Sequence, residues 1–130
     1  MSTSLQAAGG VLSSGATDGI GYSTGAGGTV TQITSKATGV TLNKVCGAIT
    51  LNNAALNAGD EATFVVTCST CAVGDVPVAC HSSAGTSGAY LVGVSAVGSG
   101  SFSITVANVS AGNLSEAVVV SYAIVKAVSA

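Results

Sequence analysis

At 130 residues the chain has the length of one domain. Only 6% of it is charged, against roughly 25% in ordinary globular proteins. With three Lys, no Arg, five acidic residues and a net charge of −2, it offers no basic surface to nucleic acid, and its 48% hydrophobic content excludes a disordered acidic tail.

In chain order, the opening residues MSTSLQAAGG carry no positive region and no apolar run of the kind a secretion signal needs. Synthesis in a cytoplasm is therefore expected. Residues 1–28 form a compositional zone of their own, with Gly at positions 9, 10, 15, 19, 21, 25, 27 and 28. So many glycines disfavour both a stable helix and a central strand. The zone reads either as a disordered tail or as an extended arm that orders against a neighbour. Leu5, Val11, Leu12, Ile20 and Tyr22 are apolar pegs that a pure linker has no need of.

Residues 29–130 read as the folded domain. VTQIT at 30–34 alternates polar and apolar residues, the period of a half-buried strand. Further strands are expected at 40–42, at 46–51 (CGAITL) and at 61–68 (EATFVVTC), the last after a Gly59-Asp60 turn signal. Residues 52–60 tolerate a turn at most. Residues 76–81 (VPVACH) hold the one Pro, Pro77, which suits an edge or a strand start. Residues 89–97 put Tyr90, Val92, Val94 and Ala96 on one face. Residues 101–109 do the same with Phe102, Ile104, Val106 and Asn108, and residues 116–126 with Val118, Val120, Tyr122, Ile124 and Lys126. Residues 89–126 thus read as a three-stranded meander. Short strands with turn signals every 8–12 residues predict an all-β fold, an antiparallel β-sandwich, jelly-roll or β-tulip-like, with the Gly/Ser-rich arm extended from it.

No apolar stretch approaches the roughly 20 residues of a membrane-spanning helix. A spanning barrel needs aromatic girdles, and five aromatics (Tyr22, Phe64, Tyr90, Phe102, Tyr122) are too few. No membrane partner is expected.

Four cysteines are the candidates for chemistry. Cys68, Cys71 and either Cys80 or His81 could supply three ligands to a tetrahedral zinc. Cys80 and His81 are neighbours in a strand, however, and point to opposite faces. A second C-x-x-C or H-x-H half is missing. A thioredoxin-like role needs the C-x-x-C at a helix N-terminus, and this one follows a strand. Cys46–Cys68 with Cys71–Cys80 is the first disulfide pairing to test, among three possible pairings. In a cytoplasm the default is four buried small hydrophobes. Neither metal nor cofactor is expected.

His81 has no Ser or Cys partner at an informative spacing. Asp18, Asp60, Glu61, Asp75 and Glu116 are scattered, and Asp60 and Glu61 are turn neighbours rather than an acid/base pair. The G-x-G at 98–100 precedes a strand and fails the context of a phosphate loop. An enzyme is not expected. A surface of small uncharged residues instead suits packing against other copies or a lattice.

Residues 21–43 read GYSTGAGGTVTQITSKATGVTLN, and they resemble a block found in a family of small tailed-phage virion structural proteins. ITLNNAALNAG (49–59), EATFVVTC, SAGTSGAYLV (83–92) and GSFSITVANVSAGNLSEAVVVSYAIVKAV (100–128) are similar to it too. The Cys-rich stretch 68–81 departs from the family pattern, where Ser, Thr, Asn and Val are expected. The resemblance implies a capsid decoration (cement) protein, a β-sandwich or β-tulip oligomer on the outer head shell. Its implied partners are the major capsid protein and further copies of itself, as a trimer first and a dimer second. The alternatives are a tail or fibre/receptor-binding component of the virion, and a cell-surface adhesive module, which needs a signal peptide.

Overall fold

The computed structural model describes residues 6–130, so Leu5 lies outside the described residues. They form eight strands and no helix: β1 (Gly27–Thr31), β2 (Val40–Thr41), β3 (Cys46–Thr50), β4 (Glu61–Thr67), β5 (Val76–Ser83), β6 (Tyr90–Gly98), β7 (Ser101–Asn108) and β8 (Val119–Val125). They make two four-stranded sheets that pack face to face. The first has the order β1-β3-β8-β5 and the second β2-β4-β7-β6. The expected all-β sandwich is the observed architecture.

Period-2 alternation builds the core. β7 buries Phe102, Ile104, Val106 and Asn108 and leaves the residues between them half-exposed. Phe64 and Val66 of β4 meet them from the side, and Ile49, Val120, Tyr122 and Ile124 meet them from the first sheet. Each fully buried aliphatic or aromatic side chain contributes about 1.5–3 kcal/mol. A one-residue slip would turn the whole set to water, so the alternation fixes the register. Phe102 and Tyr122 pack edge to face across the two sheets, with centroids 5.1 Å apart.

The interior polar groups tie loops to this core. Asn108 is fully buried and its Nδ2 donates to the carbonyls of Leu56 (2.8 Å) and Gly112 (2.9 Å). Its Oδ1 accepts from Ser110 N and Oγ. Buried Gln32 donates to the carbonyls of Lys36 and Thr38 and accepts from Asn52 N. Buried Lys36 donates to the carbonyls of Asn52 and Glu116. Among the described residues no buried side-chain polar atom lacks a partner, as burial without compensation is costly.

The structure corrects four details. The expected meander stops after the β6–β7 hairpin. Both edges of β7 are already taken, by β4 and by β6, so β8 crosses to the first sheet and inserts between β3 and β5. The pairings are not all antiparallel. β1 pairs β3 and β2 pairs β4 in parallel, because the chain leaves each first strand for the other sheet before returning, and such a crossover permits parallel pairing. The first strand begins at Gly27, in the glycine zone, rather than at Val30. Gly28 faces Gly47 in that pair, and a Cβ on Gly47 would sit 2.6 Å from the Gly28 carbonyl oxygen. The glycines therefore permit the close approach of an edge strand. Finally, a β-bulge between Val94 and Ala96 turns Ala96 out of the register of Tyr90, Val92 and Val94. Residues 52–60 form no helix, as expected, and hold only the Leu56–Leu114 bridge.

Candidate docking face

The two sheets differ in what they turn outward. The second sheet alternates: between its buried residues stand Thr63, Thr67, Ser101, Ser103 and Thr105. Thr63, Thr105 and Ser95 join their hydroxyls across three strands, at 2.7 and 2.9 Å. That is a water-facing surface, broken by Val65 and Leu91. In the first sheet, β5 and β8 carry apolar residues on both faces. Outward stand Val76, Val78, Cys80 and Ser82 on β5 and Val119, Ser121, Ala123 and Val125 on β8, with Val76 opposite Val125, Val78 opposite Ala123 and Cys80 opposite Ser121. The Ser121 hydroxyl donates to Ser82 Oγ at 2.7 Å, the one polar pair of this row. Val76, Val78 and Val125 are each about half exposed, at 50%, 52% and 55%. Near-continuous apolar strands are the pattern of a sheet covered on both sides.

None of β1, β3, β5 and β8 contains Lys, Asp or Glu. The outer face of the first sheet is therefore free of carboxylates and amines. A shallow depression of about 260 Å³ runs over Val78, Cys80, Ser121 and Ala123. Beside it lies a groove of about 570 Å³ lined by Ile20, Tyr22, Cys46, Ala123, Val125 and Lys126. The N-terminal arm leaves the molecule here. The Tyr22 hydroxyl donates to the Ile124 carbonyl at 2.5 Å, and residues 6–25 are all exposed, Leu12 at 91%.

The rim carries the polar clusters. Lys126 Nζ donates to Asp75 Oδ2 at 2.6 Å and to the Thr70 carbonyl at 2.5 Å. The Lys126 hydrogen bond, with that of Ala72 N, holds the Asp75 carboxyl below the usual range. Asp75 raises Lys126 in turn. The pair clips the loop after β4 to the end of β8. At the other end, Glu116 accepts from Thr86 N (3.0 Å), Thr86 Oγ1 (3.1 Å) and Tyr90 Oη (2.9 Å). The Thr86 N–H, then Tyr90, lowers the Glu116 carboxyl. Burial, then the bond to Glu116, pushes the Tyr90 phenol up to about 12. Thr86 ties the β5–β6 loop, and Tyr90 the start of β6, to the segment before β8, so this carboxylate works as a clasp.

The cysteine candidates are dispersed. Cys68 is fully buried, with its thiol 3.3 Å from the Lys44 carbonyl and 3.0 Å from Thr70 Oγ1. Cys71 is buried at 4% exposure, and burial, then Asp75, pushes its thiol up, away from the thiolate that metals and disulfide exchange require. Cys80 is exposed on the outer face of β5. His81 faces the opposite way: its ring packs edge-on to Tyr90 at 5.6 Å and its Nε2 lies 2.6 Å from the Ala84 carbonyl oxygen. Among the described residues no three His, Cys, Asp or Glu side chains converge as a metal site. All four cysteines are free, so neither Cys46–Cys68 nor Cys71–Cys80 is formed. Two of the four, Cys68 and Cys71, are the buried small hydrophobes expected. Cys46 and Cys80 instead line the outer face.

The chain matches no family model, no curated protein and no solved structure. Sequence reasoning misses the outer face of the first sheet. Its signal is present in VPVAC and AVVVSYAIV, which carry apolar residues at odd and even positions alike. A strand assignment needs only one of those faces.

Proposed function

We propose that the chain is a non-enzymatic structural subunit of a phage virion, a capsid decoration (cement) protein that binds the outside of the head shell and bridges and stabilises capsid subunits. The observation that carries this reading is the pairing of an uncharged, partly apolar outer face with an exposed arm that starts from the edge of that face. These are two attachment surfaces on one small, tightly hydrogen-bonded sandwich. The resemblance at residues 21–43 and 100–128 supplies the virion context. A face with no carboxylates or amines can be covered without stranding a desolvated charge. Face and arm linked in one molecule act together, so contacts that are weak alone sum through effective concentration. Binding only the assembled shell stabilises that state by mass action against pressure from the packaged genome. The polar clusters act here as loop clasps. Asp75–Lys126 and Glu116–Tyr90–Thr86 hold the ends of the sandwich rigid, so that the ordering cost at docking falls on the arm and not on the sandwich.

Co-sedimentation of the purified chain with undecorated head shells tests this. The reading expects saturable binding at a fixed copy number per capsid subunit, and shells that survive higher temperature or chelator stress once loaded. Shells that neither bind the chain nor gain stability would contradict it. Recovery with isolated tails alone would favour the tail or fibre alternative.

A further inference from the structure

The whole outer face of the first sheet is too small to hold a stable partner alone. Four strands about 4.8 Å apart and some six residues long present about 400 Å². Two such faces bury about 800 Å², below the roughly 1,200–2,000 Å² of a stable interface. The missing area is available in the same chain. The arm over residues 6–25 packs on nothing of its own sandwich beyond the groove at Ile20 and Tyr22. It presents Val11 and Leu12, at 50% and 91% exposure. Its one charged residue is Asp18. Extended from Tyr22, it reaches about 53 Å, nearly three times the width of the sheet face. It starts at the edge of that face, where Tyr22 is bonded to Ile124.

We infer that copies of this chain exchange arms: the arm of one copy lies over the outer face of the first sheet of the next, with Val11 and Leu12 against Val76, Val78, Cys80 and Val125. This rests on the docking-face reading above and assigns the β5 and β8 part of that face to a second copy, which leaves the β1 and β3 side of the sheet and the rest of the arm to the shell. The chemistry matches on both sides, since a nearly uncharged, small-residue strand meets a face with no Lys, Asp or Glu. Each copy carries one arm and one face, so the exchange gives a reciprocal dimer, or a ring where the rotation between copies closes.

Cys80 makes the contact testable on the full-length chain. One copy carries Leu12→Cys with Cys46→Ser and Cys80→Ser. A second, distinguishably tagged copy keeps Cys80 and carries Cys46→Ser. The two are mixed without shells and treated with a short bis-maleimide. The expected product is a covalent dimer bearing both tags, alongside an assembly above monomer mass in sedimentation equilibrium. Val78→Asp, at an exposed position that leaves the core intact, should lower the cross-linked yield at least tenfold while circular dichroism and Tm stay near those of the parent. A monomer with no mixed product overturns the inference. So does an intramolecular cross-link alone when Leu12→Cys is placed in a chain that keeps Cys80, which would mean that the arm folds back on its own sheet. So does unchanged cross-linking in Val78→Asp. None of these results touches shell binding, which is measured separately, so failure of arm exchange and failure of the decoration reading are distinguishable.

Discussion

The Tyr22 hydroxyl donates to the backbone carbonyl of Ile124 at 2.5 Å, and among the described residues it is the one side-chain hydrogen bond that holds the arm to the sandwich. The bond spans 102 positions of sequence and fixes where the arm departs. A single hydrogen bond of this kind has a net value of about 1 kcal/mol. Tyr22→Phe should therefore free the arm without loosening the core. Limited proteolysis at residues 20–22, the part of the arm held in the groove, should speed up about fivefold, the factor that about 1 kcal/mol sets, while the Tm of the sandwich stays close to that of the parent. A large fall in Tm would show that the arm is part of the core.

Lys36 is the sharpest internal test. Burial pushes its amine below the usual value, and Glu116 opposes that in part. Its amine nonetheless donates to the carbonyls of Asn52 and Glu116. Lys36→Met keeps the aliphatic stem and strands both carbonyls. The expected loss is about 2–6 kcal/mol, since each of the two unpaired acceptors costs about 1–3 kcal/mol. Urea denaturation measures it. A loss under about 0.5 kcal/mol, below the net value of even one hydrogen bond, would mean that water replaces the amine without penalty.

The Asp75–Lys126 pair sets an acid dependence. The Asp75 carboxyl lies below its unfolded value, with the Lys126 hydrogen bond the largest cause. The unfolded state therefore binds the proton first as pH falls, and stability falls with it. The contribution is fully present above about pH 4, the unfolded carboxylate value, and is lost as pH drops through the folded one. Glu116 acts in the same sense. Tm measured across the acid range should fall below about pH 4. In Asp75→Asn the curve should start lower at neutral pH and fall less steeply, the remaining slope belonging to Glu116. An unchanged slope would remove the pair from the account.

Thiol reactivity separates the four cysteines. Cys80 is exposed and Cys46 lines the groove, whereas Cys68 and Cys71 are buried. A thiol reagent should label Cys80 at once, Cys46 more slowly, and the remaining two only after denaturation, when all four thiols are counted. A lower count in denaturant without reductant would show a disulfide.

Much of this fold is legible in the sequence because strand periodicity is local. Phe102, Ile104, Val106 and Asn108 read from the sequence as one buried row, and that is how β7 sits. What is illegible depends on long-range choices. Nothing within residues 109–118 says that β8 must leave β7, because the reason is that β4 already occupies the edge. The parallel β1–β3 pair depends on a glycine contact between positions 28 and 47, which no window of residues contains. For the docking face, VPVAC and AVVVSYAIV hold the pattern, but one buried face is enough to identify a strand, and the second adds nothing to that assignment. His81 and Cys80 are legible as opposed neighbours. The clasp of Glu116 by Thr86 and Tyr90 joins loops and strands that only the fold brings together.

The central claim is that this chain coats a head shell. The most direct measurement is an electron cryomicroscopy map of a virion carrying it, at a resolution that identifies the eight-stranded sandwich. The account predicts copies over the whole capsid lattice at local symmetry axes, with the outer face of the first sheet and the arm at residues 6–25 covered by neighbouring protein. A few copies at a single vertex, or a lattice of copies with Val76, Val78 and Val125 facing solvent, would contradict it.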